Sequence, residues 1–173
     1  MRSNITVDRV DASSFDLLLP RAFAIKVAVS TEDIDAFHHV NNAVYLKWMN
    51  DCAAAHSAAV GLPADKCVAL DRGMAVRETK LLYKNPARLD DEVIIANWVT
   101  KNDGRLRASR AFQIVRSSDN QTLLIGASNY ACIALSNGRP VRMPDIFREK
   151  YFVEPSAEQR LSKDAALHAG LFV

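Results

Sequence analysis

The sequence predicts an α+β fold in which one long central helix is wrapped by a curved antiparallel β-sheet of five or six strands. Three observations carry that expectation. A single stretch, Asn42 to Val60, holds apolar residues at helical spacing over several turns. One alternating stretch precedes it and four follow it, separated by turn residues. No other segment of comparable length has a strong helical stripe, so the helix can bury its apolar face only against the sheet.

Taken in order, residues 1–20 lack strong periodicity and end at Pro20, the pattern of an irregular arm. In "RAFAIKVAVS", Phe23, Ile25, Val27 and Val29 alternate with Ala24, Lys26, Ala28 and Ser30, which predicts a half-buried strand over about 22–30. The helix follows, with Tyr45, Trp48, Met49, Cys52, Ala53, His56 and Val60 recurring at spacings of three and four. Asn41 or Asn42 suits the N-cap, Gly61 the C-terminal stop, and Pro63 stands just beyond. Its length is about 18 residues, or roughly 27 Å, and its alanines give a slim face that a sheet can approach closely. A loop comes next. Strands are then expected over 74–84, 92–101, 105–116 and 121–135, with "NDG" at 102–104 as a hairpin turn and "SSDNQ" at 117–121 as a looser one. Pro144 introduces a short helical turn, and Ser156 with Gln159 resembles a capping box that predicts a peripheral helix over about 157–168. The chain is read as one domain over 1–173, with a core at 22–150 and a tail at 151–173.

Composition narrows the function. A chain of 173 residues that is 49% hydrophobic and 24% charged is globular and long enough to bury a core without disulfides or a structural metal. The formal charge of +2 is too small for a nucleic-acid surface. Cys52, Cys67 and Cys132 are odd in number and lack CxxC spacing, which argues against a disulfide framework or zinc site and for a reducing cytoplasm. The first residues carry Asp8, Asp11 and Asp16, and their longest apolar run, Leu17 to Leu19, is too short for a signal-peptide core. No segment approaches the roughly 18 apolar residues of a membrane span. A sheet wrapped around one helix leaves exposed edges that a second copy can cover, so a homodimer is expected, with pairing of dimers into a homotetramer left open.

The densest chemistry lies in "EDIDAFHHVNNAVYLKWMNDC", residues 32–52. Asp35 and His39 stand four residues apart in a loop just before the helix N-cap, beside amides that carry the positive end of the helix dipole. Such amides can stabilise an oxyanion, a carboxylate can act as base or nucleophile, and a histidine can move protons at neutral pH. Together they suit attack on an acyl carbonyl. The plainer alternative is that Asp33, Asp35 and the asparagines only cap the helix and an Asx-type turn. A metal site from Asp33, Asp35, His38 and His39 is disfavoured, because neighbouring side chains seldom converge on one ion.

"DIDAFHHVNNAVYLKWM" resembles the signature of the hot-dog-fold acyl thioesterases, in particular the 4-hydroxybenzoyl-CoA thioesterase and YbgC-like group and the related plant acyl-ACP thioesterases. "RETKLLYKNPARLDDEVII" and "GRPVRMPD" resemble that family's second strand and chain end, so the likeness covers about residues 22–150. The resemblance implies a hot-dog fold and hydrolysis of an acyl-CoA or acyl-carrier thioester without a metal or redox cofactor, CoA entering only as part of the substrate. It places the catalytic aspartate at Asp35, as nucleophile or base for water, and the carbonyl-polarising amide near Asn42. His39 matches the histidine of the plant motif, whereas Phe37 stands where that motif has a catalytic asparagine. Phe37 and Tyr45 are then expected to line the substrate site. CoA phosphates are expected near the basic "KNDGRLRASR", where Arg105 and Arg107 share one strand face with Ser109 and Arg110 points the other way.

Three further side chains are weighed. His56 and Cys52 lie on the buried helical stripe and read as core residues, and Glu78 as an outward polar position on its strand. No G-x-S-x-G, P-loop or G-x-G-x-x-G is present. Two alternatives to hydrolysis are enoyl-thioester hydration or dehydration on the same fold, and an acyl-CoA or acyl-carrier binding protein without efficient chemistry.

Overall fold

The computed structural model describes residues 8–156. Its centre is the expected helix, α1 (Asn42–Ala59), 18 residues long. The Asn41 side chain accepts the Ala43 N–H at 2.9 Å and so caps the first turn. At the other end Gly61 takes a left-handed conformation, φ +85°, that a Cβ would strain. Its N–H bonds to the Ala58 carbonyl and the Leu62 N–H to the Ser57 carbonyl, the paired bonds of a Schellman ending.

Six strands form one antiparallel sheet around this helix: β1 (Asp8–Arg9), β2 (Phe23–Ala28), β3 (Gly73–Tyr83), β4 (Glu92–Asn102), β5 (Arg107–Arg116) and β6 (Thr122–Ile133). Their spatial order is β1-β2-β4-β5-β6-β3. This is the hot-dog arrangement that the resemblance implies. The four strands after the helix begin and end within two residues of their expected positions. Register slips at Val76/Glu78 in β3 and Val99/Lys101 in β4, the marks of local bulges, interrupt the pairing.

Two expectations are corrected. The supposed loop after Gly61 contains a short helix, α2 (Ala64–Ala69), begun by Pro63 at its N-cap and too brief to show a period. The N-terminal arm is not irregular throughout: β1 pairs with β2 (Asp8 opposite Lys26), a 3-10 turn spans Ala12–Ser14, and the following residues cover the outer face of the sheet. The reason is legible in β4. Every residue from Val93 to Thr100 is buried, so both faces of this strand need a cover. Val93 and Ile95 pack with Tyr45, Trp48, Met49 and Cys52 of α1. Ile94, Ala96 and Trp98 pack on the opposite side with Leu19 of the arm. The arm is fastened by polar side chains, since Trp98 Nε1 donates to the Pro20 carbonyl at 2.8 Å and the Gln113 side chain accepts the Leu18 N–H at 2.8 Å.

Burying the stripe of α1 contributes about 1.5–3 kcal/mol for each large apolar side chain. Close approach has its own requirement: a Cβ on Gly126 of β6 would lie 2.7 Å from Met49 Cε. After Pro144 the expected short helix, α3 (Asp145–Lys150), puts Phe147 and Tyr151 into a third cluster with Leu62 and Met143. The tail helix expected over 157–168 lies outside the described residues.

Candidate active site

The loop from Ser30 to Asn41 is a closed unit in front of α1. The Asp33 Oδ2 accepts both the N–H and the hydroxyl of Ser30 at 3.0 Å, which commits this carboxylate to capping a 3-10 turn. The Asp33 carbonyl accepts the Asn41 N–H at 2.9 Å, and Ile34 bridges Val40, so the loop is pinched at its base. The Val40 N–H then ties it to the Ala87 carbonyl at 3.0 Å.

Inside the pinch, Asp35 organises the tip. Its N–H donates to the His39 carbonyl at 2.8 Å and its carbonyl accepts the His38 N–H at 3.1 Å. Its Oδ1 accepts the Phe37 N–H at 2.8 Å and, more weakly, the His39 N–H at 3.4 Å. An acid followed by amides two residues on forms an Asx turn readily. His38 absorbs the reversal with φ +60°. The two oxygens of this half-buried carboxylate therefore differ: Oδ1 holds the loop, and Oδ2 has no hydrogen bond among the described residues.

The helix start lies seven residues on. The Ala43 N–H is taken by Asn41 Oδ1 and the Val44 N–H by the Asn41 carbonyl, whereas nothing among the described residues accepts from the Asn42 N–H. The Asn42 carbonyl accepts the Tyr83 hydroxyl at 2.9 Å, anchoring this turn to β3. An unpaired amide at the positive end of an 18-residue helix is a donor for developing negative charge.

The other expected residues are distributed as follows. Phe37 is 81% exposed at the loop tip, and His39 is half-buried with no side-chain hydrogen bond among the described residues. Tyr45 is buried, stacks edge-on against Trp48 and Tyr83, and accepts the Ala87 N–H on its hydroxyl at 2.7 Å. Burial raises that phenol above its ordinary value, so it stays protonated. Arg105 lies in the β4–β5 turn rather than in a strand, because Asp103 Oδ1 gathers the N–H groups of Arg105, Leu106 and Arg107 at 2.8, 2.8 and 2.9 Å. Arg107 is exposed. No hydrogen bond or ion pair among the described residues joins either arginine to the Asp35 loop. Glu78 is exposed and accepts from Asn129, which itself accepts from Ser109, a polar ladder across β3, β6 and β5.

A second polar assembly, under the last turns of α1, has Arg110 at its centre. This side chain is only 6% exposed. Its Nη1 donates to His56 Nδ1 at 2.6 Å and to Asn97 Oδ1 at 2.7 Å, and its Nη2 to Ser57 Oγ at 3.2 Å. Arginine has no lone pair to offer, so His56 Nδ1 must be unprotonated and the proton sits on Nε2. Burial first, then the guanidinium charge, lowers the His56 pKa to about 4. Asn97 Nδ2 donates to Cys52 Sγ at 3.1 Å, and that thiol donates to the Ile95 carbonyl. Burial pushes the Cys52 pKa up to about 12, so it is an inert thiol rather than a nucleophile. Period-two alternation was the available signal for Arg110, since it shares the inner face of β5 with Phe112 and Ile114.

Residues 29–151 match the family described as the thioesterase-like superfamily. A chloroplastic acyl-acyl carrier protein thioesterase of Arabidopsis thaliana is 22% identical over 129 residues, which cover 73% of this chain and 66% of that protein. The 1,4-dihydroxy-2-naphthoyl-CoA thioesterase of Synechocystis shares the fold with a TM-score of 0.69 at 16% identity, over 75% of this chain and 95% of its own. A Staphylococcus aureus protein solved in complex with CoA does so with a TM-score of 0.70 at 17% identity, over 78% and 84%.

Proposed function

This chain belongs to the thioesterase-like superfamily, and on that premise we propose that it hydrolyses an acyl thioester to a free acid and a thiol with Asp35 as the reactive group. One observation carries the reading: the Asp35 carboxylate is fixed through Oδ1 and leaves Oδ2 unpaired, in the loop that leads into the open N-terminus of α1. As general base, Oδ2 takes a proton from water while the resulting hydroxide adds to the thioester carbonyl. Collapse of that adduct breaks the C–S bond, and the departing thiolate takes the proton from Asp35. As nucleophile, it adds to that carbonyl itself, expels the thiol, and water later opens the anhydride. In either route the Asn42 N–H receives the oxyanion, and the Tyr83 bond to the Asn42 carbonyl keeps that turn in place. His39 serves as an orienting or proton-transfer group.

The thioester is carried by CoA or an acyl-carrier protein, with Arg105 and Arg107 as phosphate contacts and Phe37 and Tyr45 as parts of the acyl environment. No metal or redox cofactor enters this chemistry. We place the protein in the cytoplasm as a homodimer joined through β3, which is an edge strand of 11 residues with Val76 exposed. Thiol release measured over short, long and aromatic acyl-CoAs tests the reading. Asp35→Asn should lower turnover of the best substrate by about 100-fold or more. Unchanged turnover would remove Asp35 from the mechanism, and saturable binding without thiol release in the native protein would make it a binding protein.

A further inference from the structure

A cavity of about 410 Å³ opens between the second half of α1, α2 and the sheet, within the size range of small-molecule sites. Its wall is largely aliphatic, including Ala53 and Ala54 of α1 and Met74 and Val76 of β3. Arg110, Ser57 and Tyr151 also line it. Val68, Val76 and Leu135, all exposed, belong to the same wall, so the cavity has its own mouth to solvent. Ser57 stands about 22 Å of helix beyond the Asn42 amide, and nothing from the Asp35 loop is among the described residues that line the cavity.

Arg110 brings a charge here that the protein does not balance. Its hydrogen-bond acceptors, His56 Nδ1, Asn97 Oδ1 and Ser57 Oγ, are all neutral, and Nε makes no hydrogen bond among the described residues. Burial raises the phenols of Tyr130 and Tyr151 beside it above their ordinary value, so neither supplies an anion. Glu154 is a buried carboxylate, but its Oε1 accepts from Ser156. Among the described residues no ion pair involves Arg110 or Glu154. A buried cation satisfied only by dipoles is costly, and a methionine of similar length would fill such a core without that cost. The guanidinium is therefore better explained by a visitor that brings the missing negative charge. A planar carboxylate matches the guanidinium donors, and the aliphatic wall matches an alkyl chain attached to it.

We propose that this cavity is a second binding site, for a free aliphatic monocarboxylate, with the carboxylate on Arg110 and the chain along Ala53, Ala54, Met74 and Val76. Asn97 and Ser57 hold the guanidinium in one orientation for it. The site does not depend on the hydrolase reading, because it uses neither Asp35 nor the Asn42 amide.

Calorimetric titration of the full chain with hexanoate, octanoate and decanoate, each beside the primary alcohol of equal length, isolates the charge. At the best length the carboxylate should bind at least tenfold more tightly than the alcohol. Arg110→Met should abolish that preference and keep the affinity for the alcohol. Ala54→Phe, at an exposed position on α1, fills the cavity and should block both ligands even if Arg110→Met does not fold. Asp35→Asn should bind both as the native chain does. Cys67 lines the cavity and is the one cysteine that is not buried, so saturating carboxylate should slow its alkylation at alkaline pH several-fold. Equal or weaker binding of the carboxylate at every length, or no binding by any ligand, overturns the proposal. So does an unchanged preference in a folded Arg110→Met, or unchanged affinity in Ala54→Phe. Binding that Asp35→Asn abolishes, or that leaves Cys67 alkylation as it was, puts the ligand elsewhere and also overturns it. Thiol release from acyl-CoAs is read separately: its absence sinks the hydrolase reading and leaves this site standing.

Discussion

Asp35 is held by amides two and four residues away, whereas Arg110 is held by side chains 13, 53 and 54 residues away. Both assemblies sit on α1, one before its first turn and one beneath its last turns. The loop is half exposed, closes on itself, and keeps one oxygen unpaired. The buried cluster uses acceptors from α1 and β4 and depends on the helix being docked on the sheet. A free carboxylate oxygen is thus left where local bonds suffice, and charge is buried only where long-range packing has already fixed its partners.

That contrast predicts separate responses of activity and stability. The largest concerns the loop. Asparagine at position 35 keeps an Oδ1 acceptor for the Phe37 N–H, so Asp35→Asn should combine the hundredfold loss of turnover with an unchanged melting temperature. A large fall in melting temperature would show that the loop is part of the folding core. The next concerns the cluster and pH. His56 has a pKa of about 4 in the folded chain against an ordinary 6.5, so between those values the unfolded chain binds the extra proton. Its contribution to stability is complete above about pH 6.5 and falls away as the pH drops toward 4, by about 3 kcal/mol at roughly 1.36 kcal/mol per pH unit. Urea unfolding from pH 8 to pH 4 should show this slope, and His56→Gln, which keeps an acceptor for Arg110 but does not titrate, should remove it.

Two smaller effects separate the regions further. Asn97→Ala withdraws an acceptor from a buried cation and a donor from Cys52, and should cost about 2 kcal/mol in denaturant unfolding. Asp33→Ala removes only the exposed bonds to Ser30 and should cost about 1 kcal/mol. If the Asp33 variant proved the more damaging, the loop would be the better-coupled region.

The sequence disclosed most of what local rules determine. Helix α1 was legible from its stripe and from Asn41 and Gly61, and the later strands from alternation and turns. The Asp35 loop was legible as chemistry beside a helix start, though its division between Oδ1 and Oδ2 required the backbone path set by His38. Other features depend on partners far away in the chain. The arm over the sheet is announced only indirectly by the two-faced burial of β4, and α2 is too short for a period. Alternation turns Arg110 away from Arg105 and Arg107, but the partners it meets there, Asn97, His56 and Ser57, are brought to it only by tertiary packing.

The covered outer face of the sheet also gives the molecule two optical reporters. The chain has two tryptophans, and they lie on opposite sides of the sheet: Trp48 between α1 and the strands, Trp98 beneath the arm with its indole N–H on Pro20. Replacing either one by phenylalanine leaves a single fluorophore whose emission follows one face alone. Release of the arm from the sheet and release of the helix from the sheet can then be watched as separate events in the same protein.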